Sequence, residues 1–389
     1  RDAMASDWSD VEVSTLWSMT FFFSLVAVTL YGAVISRVSF RWLVPGVYAF
    51  FAASFFVFYF GSTYATNAVL VDKSFYVWLS VFSLFHVSVF WSFMSDLWSR
   101  EQAPRLFGFI AMGASVGAIV GPLITALLVE RVGAENLMLV SATMLLIPIP
   151  IIFTLARLKV SALGNEDVSA DLSAQQAIGR NPFAGFSIFL TSPYLIGIGI
   201  FILLYVAIGS FVYFELKNLL ADFSREDRTE IWAYIDFAVN SLTIITAMFL
   251  TSRIATRFGM PTTLALIPAL IVIGMLVIAM SPVVAVVAGL QVARRAGNYA
   301  ITRPGREMLF TAVDRETRFK AKPVIDIVLY RGGDMLTAWA FTLLTTGLGL
   351  SLGAVAAVGA GIAALWAAVG VYLGRSYNRL ASDGAEDGK

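Results

Sequence analysis

The sequence predicts an all-α membrane protein built as two parallel halves of six helices each. Three observations carry that prediction: the composition, a succession of apolar stretches of spanning length, and a weak internal repeat. Of the 389 residues, 58% are hydrophobic and 14% charged, and mean hydropathy is +0.79. A soluble fold with that balance would lack the polar surface to cover itself. The composition also excludes several classes of function. With no cysteine and a single histidine, His86, the chain has no disulfide, no thiolate metal site and no metal-ligand cluster. A net charge of +1 leaves no electrostatic footprint for nucleic acid. No Gly-rich phosphate loop of the nucleotide-hydrolysing kind is present. The chain therefore reads as a non-enzyme that needs no cofactor.

A spanning helix needs about 20 mostly apolar residues. The first five stretches that meet this need are 14–36, 42–62, 75–98, 104–129 and 136–157. Residues 158–183 follow as a polar linker carrying Glu166, Asp167 and Asp171. Six more stretches come after it: 184–216, 230–252, 262–281, 283–302, 323–346 and 350–375. The pair 262–281 and 283–302 is joined at Ser281-Pro282, where proline favours a sharp turn. The segment 303–322 is too charged to span. It reads as an extension of the preceding helix that turns at Lys322-Pro323 and offers basic residues to an anionic substrate or to lipid headgroups. Placing the linker in the cytoplasm and alternating from there puts Lys and Arg inside by roughly three to one, from Arg37 and Arg41 through the run Arg315–Lys322 to Arg375. That bias supports the alternation and predicts a cytoplasmic C-terminus.

The repeat is faint but consistent in offset and side. Ser36-Arg37-Val38-Ser39 matches Thr256-Arg257-Phe258-Gly259, roughly 220 residues later. Arg100-Glu101, with Arg105 and Gly117, matches Arg315-Glu316, with Lys320 and Gly332, at nearly the same offset. The expected organisation is a front bundle over 1–157, the linker 158–183, a back bundle over 184–376 and a tail over 377–389. Shifting the stretch 184–216 back by the repeat places a further helix upstream of residue 1, so twelve helices are expected and eleven lie in this sequence.

Particular residues connect this plan to a known family. The loop Gly32-Ala33-Val34-Ile35-Ser36-Arg37-Val38-Ser39-Phe40-Arg41 resembles the loop motif between helices 2 and 3 of the major facilitator superfamily, with Ser36 and Ser39 where that motif carries Asp and Gly. The stretch 104–129 resembles its antiporter motif through Gly108, Gly117 and Gly121-Pro122, with Thr125-Ala126 in place of the closing glycine pair. Arg1-Asp2, Ser95-Asp96-Leu97-Trp98-Ser99-Arg100-Glu101 and Thr302-Arg303-Pro304-Gly305-Arg306-Glu307 are similar to the bacterial ATP/ADP translocase group. The resemblance implies the major facilitator fold, alternating access, nucleotide-type anion exchange and a multi-pass protein of the bacterial inner membrane that works as a monomer. Protons are a candidate coupling ion. A proton-driven exporter of drugs or metabolites is the alternative, and a lipid flippase or non-transporting sensor is the reading from another class.

Charges inside a bilayer cost about 2.5–3.5 kcal/mol each on insertion scales and so face a cavity or a partner. Arg294, Arg295 and Arg331 are the substrate candidates, because the guanidinium fork donates two parallel hydrogen bonds to a phosphate or carboxylate. Neighbours on a helix diverge by about 100°, so Arg294 and Arg295 cannot share one face and one of them should find a partner between helices. Asp236, Asp326 and Asp334 are the carboxylates that could balance these cations. Tyr205, Asn298, Tyr299 and Tyr330 could line the same cavity. His86, Asp236 and Asp334 are the proton-coupling candidates. Glu215 and Lys217 close their stretch and read as a solvated helix end or an extracellular gate pair. Arg37, Asp96, Arg100, Glu101, Arg105, Arg306, Glu307, Asp314, Arg315 and Glu316 form charged ends in both halves and are expected to make salt bridges that break when a gate opens. Gly113, Gly117 and Gly121, beside Pro122, read as a close helix-packing face.

Overall fold

The computed structural model describes the chain apart from residues 1–9, 36–37, 39, 65–66, 100, 133–135, 162–180, 182, 221–222, 224 and 387–389. Among the described residues every regular element is helical. The front part comprises α1 (Asp10–Ile35), α2 (Phe40–Tyr64), α3 (Ala68–Leu97), α4 (Ala103–Val132), α5 (Leu137–Leu146) and α6 (Pro148–Ser161). The back part comprises α7 (Ala184–Thr191), α8 (Pro193–Leu219), α9 (Arg225–Thr246), α10 (Ser252–Arg257), α11 (Gly259–Met280), α12 (Val284–Gly297), α13 (Arg303–Leu309), α14 (Arg315–Pro323), α15 (Tyr330–Thr342) and α16 (Leu352–Glu386). By length and composition, nine helices among the described residues can cross a membrane.

The two other stretches read as spans are helical but interrupted. In 283–302, α12 runs into a π-helical turn at Asn298–Thr302. In 323–346, π-helical turns at Val324–Leu329 and Leu343–Gly347 flank α15. Such turns insert a residue into the helical ladder and recur at functional sites. These two segments also carry Arg294, Arg295 and Arg331.

Two sequence boundaries need correction. The stretch 184–216 is not one helix: Ser192 caps α8 by accepting from the Leu195 amide at 3.4 Å, and Pro193 takes the first helical position. The turn expected at Lys322-Pro323 lies instead at Val313-Asp314. There Asp314 caps α14, accepting from the Thr317 amide at 3.0 Å and its hydroxyl at 2.6 Å. Pro323 stays inside the helix as its last residue, directly before the π turn. The charged segment is also far less open to solvent than expected, since Phe319, Lys320 and Lys322 are buried.

Contacts group the chain into two compact units, each drawing on both parts of the sequence. The first is Arg1–Leu97, Gly121–Thr191 and Asp314–Arg331; the second is Trp98–Val120, Ser192–Val313 and Gly332–Lys389. An aromatic core organises the first unit. Phe55, Phe75 and Ala142 join α2, α3 and α5, and Phe51 meets Trp78, Phe82 and Phe85 at ring separations of 4.8–5.6 Å.

Small residues organise the second unit, along the seam between α11 and α16. A Cβ at Gly374 would lie 2.3 Å from the Pro261 nitrogen, and one at Gly370 would lie 3.0 Å from the Leu264 carbonyl. Gly374→Ala is therefore expected to destabilise by about 1–3 kcal/mol through overpacking against backbone. Gly361→Ala, where a Cβ meets nothing within 4 Å, is the neutral control. Thermal unfolding in detergent separates the two. The glycines singled out on α4 behave differently. A Cβ at Gly113, Gly117 or Gly121 meets nothing within 4 Å, and all three lie on an exposed face. The close approach on α4 is at Gly108, where a Cβ would lie 2.7 Å from Thr251 Cβ. The side chain of Pro122 lies outside the described residues.

Candidate substrate site

In the second unit, α12 presents a column of polar side chains to α8. Gln291, Arg294 and Asn298 follow i, i+3, i+7 spacing and so share one face. All three are buried, Arg294 to 6% exposure. The Arg294 Nε and Nη2 both donate to Gln291 Oε1, at 3.3 and 2.9 Å. Its guanidinium lies over the Tyr205 ring, 5.8 Å from the centroid. Gly209, one turn further along α8, makes room for it: a Cβ there would lie 3.1 Å from Nη1. Asn298 Nδ2 donates to the Tyr205 hydroxyl at 3.1 Å.

Arg294 thus has hydrogen-bond and ring partners but no carboxylate among the described residues. Arg303, which opens α13 after the π turn, likewise has no carboxylate among the described residues; its buried Nε has no hydrogen bond there, and it acts electrostatically on Tyr205. The adjoining Thr302 hydroxyl is buried without a partner as well. Both cations act electrostatically on Tyr205, and neither is paired with an acid among the described residues. Gln291, Gly209 and Arg303 were not singled out from the sequence. The spacing of Gln291 with Arg294 and Asn298 is the signal that could have drawn the first; Gly209 emerges only from packing, and Arg303 enters only as part of the translocase-like stretch.

Arg295 lies on a different face of α12. It pairs with Asp236 of α9, Nη1 to Oδ1 at 2.5 Å, and the Asp236 side chain is 56% exposed. Asn240, one turn on, donates to the Asp236 carbonyl at 2.9 Å. Tyr299 sits half-buried in the π turn. Asp334 is half-buried in the second unit. The structure therefore brings Arg294, Asn298 and Tyr205 together and gives Arg295 a carboxylate of its own.

Arg331 belongs to the first unit, where it donates to the Ser80 carbonyl at 2.9 Å. It is one rung of a polar zipper between α3 and the segment 315–331. Ser80, Ser88, Ser92 and Ser95 form a buried serine stripe on α3. Ser88 donates to Asp326 at 3.0 Å, Ser92 donates to the Arg318 carbonyl at 3.3 Å, and Arg318 donates to the Ser95 carbonyl at 3.2 Å. Lys322, 0% exposed, pairs with Asp326 one turn along its own helix. At the end of the zipper, Asp96 accepts from Arg315 Nε at 3.1 Å, Arg315 Nη2 at 3.2 Å and Arg318 Nη1 at 2.9 Å.

The other charged ends behave individually. Arg306 pairs with the buried Glu307, and Glu316 with Lys320. Glu101 and Arg105 are exposed, while Arg37 and Arg100 lie outside the described residues. His86 stacks on Phe82, centroids 4.5 Å apart, and its Nδ1 lies 3.0 Å from the Phe82 carbonyl one turn back. Glu215 departs most from expectation. It is 0% exposed, and neither carboxyl oxygen has a hydrogen-bond partner among the described residues, so it is not a solvated helix end; the side chain of Lys217 lies outside them.

The sequence profile of the Major Facilitator Superfamily matches residues 2–300. The chain belongs to the Major Facilitator Superfamily. The fold agrees with structures from that superfamily. A proton:xylose symporter, XylE, bound to 6-bromo-6-deoxy-D-glucose superposes with a TM-score of 0.63 at 12% identity, over 92% of this chain and 86% of that one. The human organic anion transporter MFSD10 (TETRAN) gives 0.63 at 16% identity, over 95% and 88%. A bacterial homologue of the iron transporter ferroportin, in its outward-facing state, gives 0.65 at 15% identity, over 93% and 90%. Identities this low establish the shared fold and leave the substrate to the site. No curated protein matches the chain by sequence. As a superfamily member with nine long apolar helices among its described residues, the chain is a multi-pass membrane protein of the secondary-transporter class.

Proposed function

We propose that the chain carries a small organic or phosphate-bearing anion by alternating access, with Arg294 as the residue that holds it. One observation supports this above all: Arg294 is a buried guanidinium with no carboxylate partner among the described residues. A buried charge left unpaired is costly, and its persistence calls for a counter-charge that comes and goes. Gln291 engages Nε and Nη2 and leaves Nη1, beside Gly209, for a ligand. Arg303, which opens α13 just after the π turn, supplies a second positive charge that acts on Tyr205. Asn298 and the Thr302 hydroxyl add neutral donors to the same wall. A guanidinium beside an aromatic ring, with a second arginine acting on that ring, suits a phosphate or carboxylate attached to a flat group, so nucleotides head the ligand panel.

The zipper supplies the moving part of this reading. On the orientation predicted by the Lys/Arg bias, it closes the cytoplasmic ends of α3 and α14, and opening inward requires it to part. Asp96→Asn is expected to favour the parted state about tenfold or more, since charge-assisted hydrogen bonds contribute about 1.5–3 kcal/mol each. A cysteine placed at the buried Ser92 reports this directly in a chain that otherwise lacks cysteine. Its rate of modification by a membrane-permeant maleimide should rise in the Asp96→Asn background.

The deciding experiment is uptake into proteoliposomes from a panel of nucleotides, sugar phosphates, nucleosides, lipophilic cations and lysophospholipids, with and without counter-substrate and a proton gradient. Transport of an anion that its uncharged analogue cannot compete with supports the assignment. Transport confined to cations or neutral amphiphiles overturns it. The second reading, an exporter of amphiphiles, is favoured by one feature of the first unit, an apolar pocket of about 330 Å³ lined by Tyr31, Trp42, Phe50, Phe51, Trp78 and Phe85.

A further inference from the structure

Glu215 lies on α8, the helix that also supplies Tyr205 and Gly209 to the Arg294 site. It is six residues beyond Gly209, about 9 Å along the helix by its rise. The packing register shows what surrounds it. On α12, antiparallel to α8, Asn298 meets Tyr205 and Arg294 meets Gly209, which brings the fully buried Val287 to the level of Glu215. On α16, Trp366 packs on Tyr205 and Gly359 approaches Phe211, which brings the buried Val355 and Ala356 to that level. On α15, Phe341 stacks on Phe214, centroids 4.9 Å apart.

Among the described residues, the titratable groups on these elements lie elsewhere or are already engaged; the side chains of Lys217 and of residues 225–230 lie outside them. Arg294 is level with Gly209 and bonded to Gln291; Arg295 is bonded to Asp236 of α9. Asp334 of α15 neighbours Gly333, which packs on Leu203 and Val206. Tyr372 and Arg375 of α16 are at the level of Gly197. On α8 itself, Tyr213 is exposed and packs on Trp232 of α9. Nothing among the described residues donates to either Glu215 oxygen.

A carboxylate in such a place would forfeit its hydration with no donor in return, at a cost of several kcal/mol, whereas the neutral acid gives up far less. A residue chosen only to fill this space would be apolar. We propose that Glu215 is a proton-carrying site: it holds a proton while buried as here and releases it to water when this end of α8 opens. Its O–H bond breaks on opening, the proton passes to solvent, and the carboxylate must be reprotonated before the site can close. Proton movement is thereby tied to the conformational cycle. This rests on the transporter reading above but not on the identity of the anion.

Two substrate-free measurements test it. Infrared spectra of the protein in lipid should show a carboxylic-acid C=O band at neutral pH that disappears on alkalinisation and is missing at every pH in Glu215→Gln. Spin labels on cysteines replacing the exposed Tyr213 and Met280, both in the second unit, should change separation over the same pH interval. In Glu215→Gln the labels should stay at the acid-form distance throughout. If the amide is not tolerated, Glu215→Met, apolar and close in length, serves in its place. Identical spectra in wild type and variant overturn the proposal, as does a band that never titrates. A label separation that ignores pH in the wild type, or still follows it in the variant, overturns it too. Failure to find any transported anion would count against the Arg294 assignment and leave both of these readouts intact.

Discussion

Arg294→Ala leaves the protein folded and lowers initial uptake of its anion by at least about 100-fold, the equivalent of losing about 3 kcal/mol of charge-assisted bonding. Folding survives for a specific reason. The side chain that is removed is a buried charge with Gln291 and Tyr205 but no carboxylate beside it among the described residues, so its loss also removes a desolvation cost. The thermal midpoint should accordingly stay near that of the wild type or rise. Arg294→Lys separates charge from shape. It keeps the cation but loses the planar fork and the stacking on Tyr205, and uptake should fall by about tenfold. Arg295→Ala is the contrast, since the carboxylate it strands, Asp236, is largely exposed. Initial rates in proteoliposomes, paired with thermal unfolding, check all three. Equal loss in Arg294→Ala and Arg295→Ala would assign the effect to the helix rather than to Arg294.

Lys322→Met destabilises the protein by about 3–5 kcal/mol, the usual consequence of removing one partner from a buried ion pair. Lys322 is wholly buried, and its partner Asp326 would keep the Ser88 hydroxyl but lose the Lys322 ammonium. Replacing both, Lys322→Met with Asp326→Leu, should recover most of the loss, because neither site then demands a charge. The thermal midpoints of the four proteins in this cycle measure the coupling. If the double variant is as unstable as Lys322→Met alone, the pair is not the source of the effect. The cycle also reports on the zipper, since a double variant that is stable but slow in transport would show that the charges serve movement rather than folding.

How much of this was open to sequence reading differs by level. The spans were readable because each helix in lipid must satisfy its own backbone hydrogen bonds, so the requirement is local and shows up as a run of apolar residues. The divergence of Arg294 and Arg295 was readable for the same reason, as helix periodicity alone. Which of the two had a carboxylate waiting was not, because Asp236 is distant in sequence and meets Arg295 only through the packing of α9 on α12. Small-residue spacing was ambiguous in a telling way. Gly117 and Gly121 have the same i, i+4 relation as Gly370 and Gly374, yet only the second pair meets a neighbouring backbone. The motif states what can pack closely and leaves open what does. Glu215 looked like a helix end because it sits beside Lys217 at the edge of an apolar run, but α8 continues to Leu219.

By itself, then, the sequence determined a membrane protein of the major facilitator type, most of its spanning stretches and the divergence of Arg294 from Arg295. The tertiary structure alone decided that Arg295, Lys322 and Asp96 have partners while Arg294, Arg303 and Glu215 have no opposite charge among the described residues. The physical reason is that hydropathy is a property of one segment, whereas neutralising a buried charge takes two, and only packing brings the second within reach.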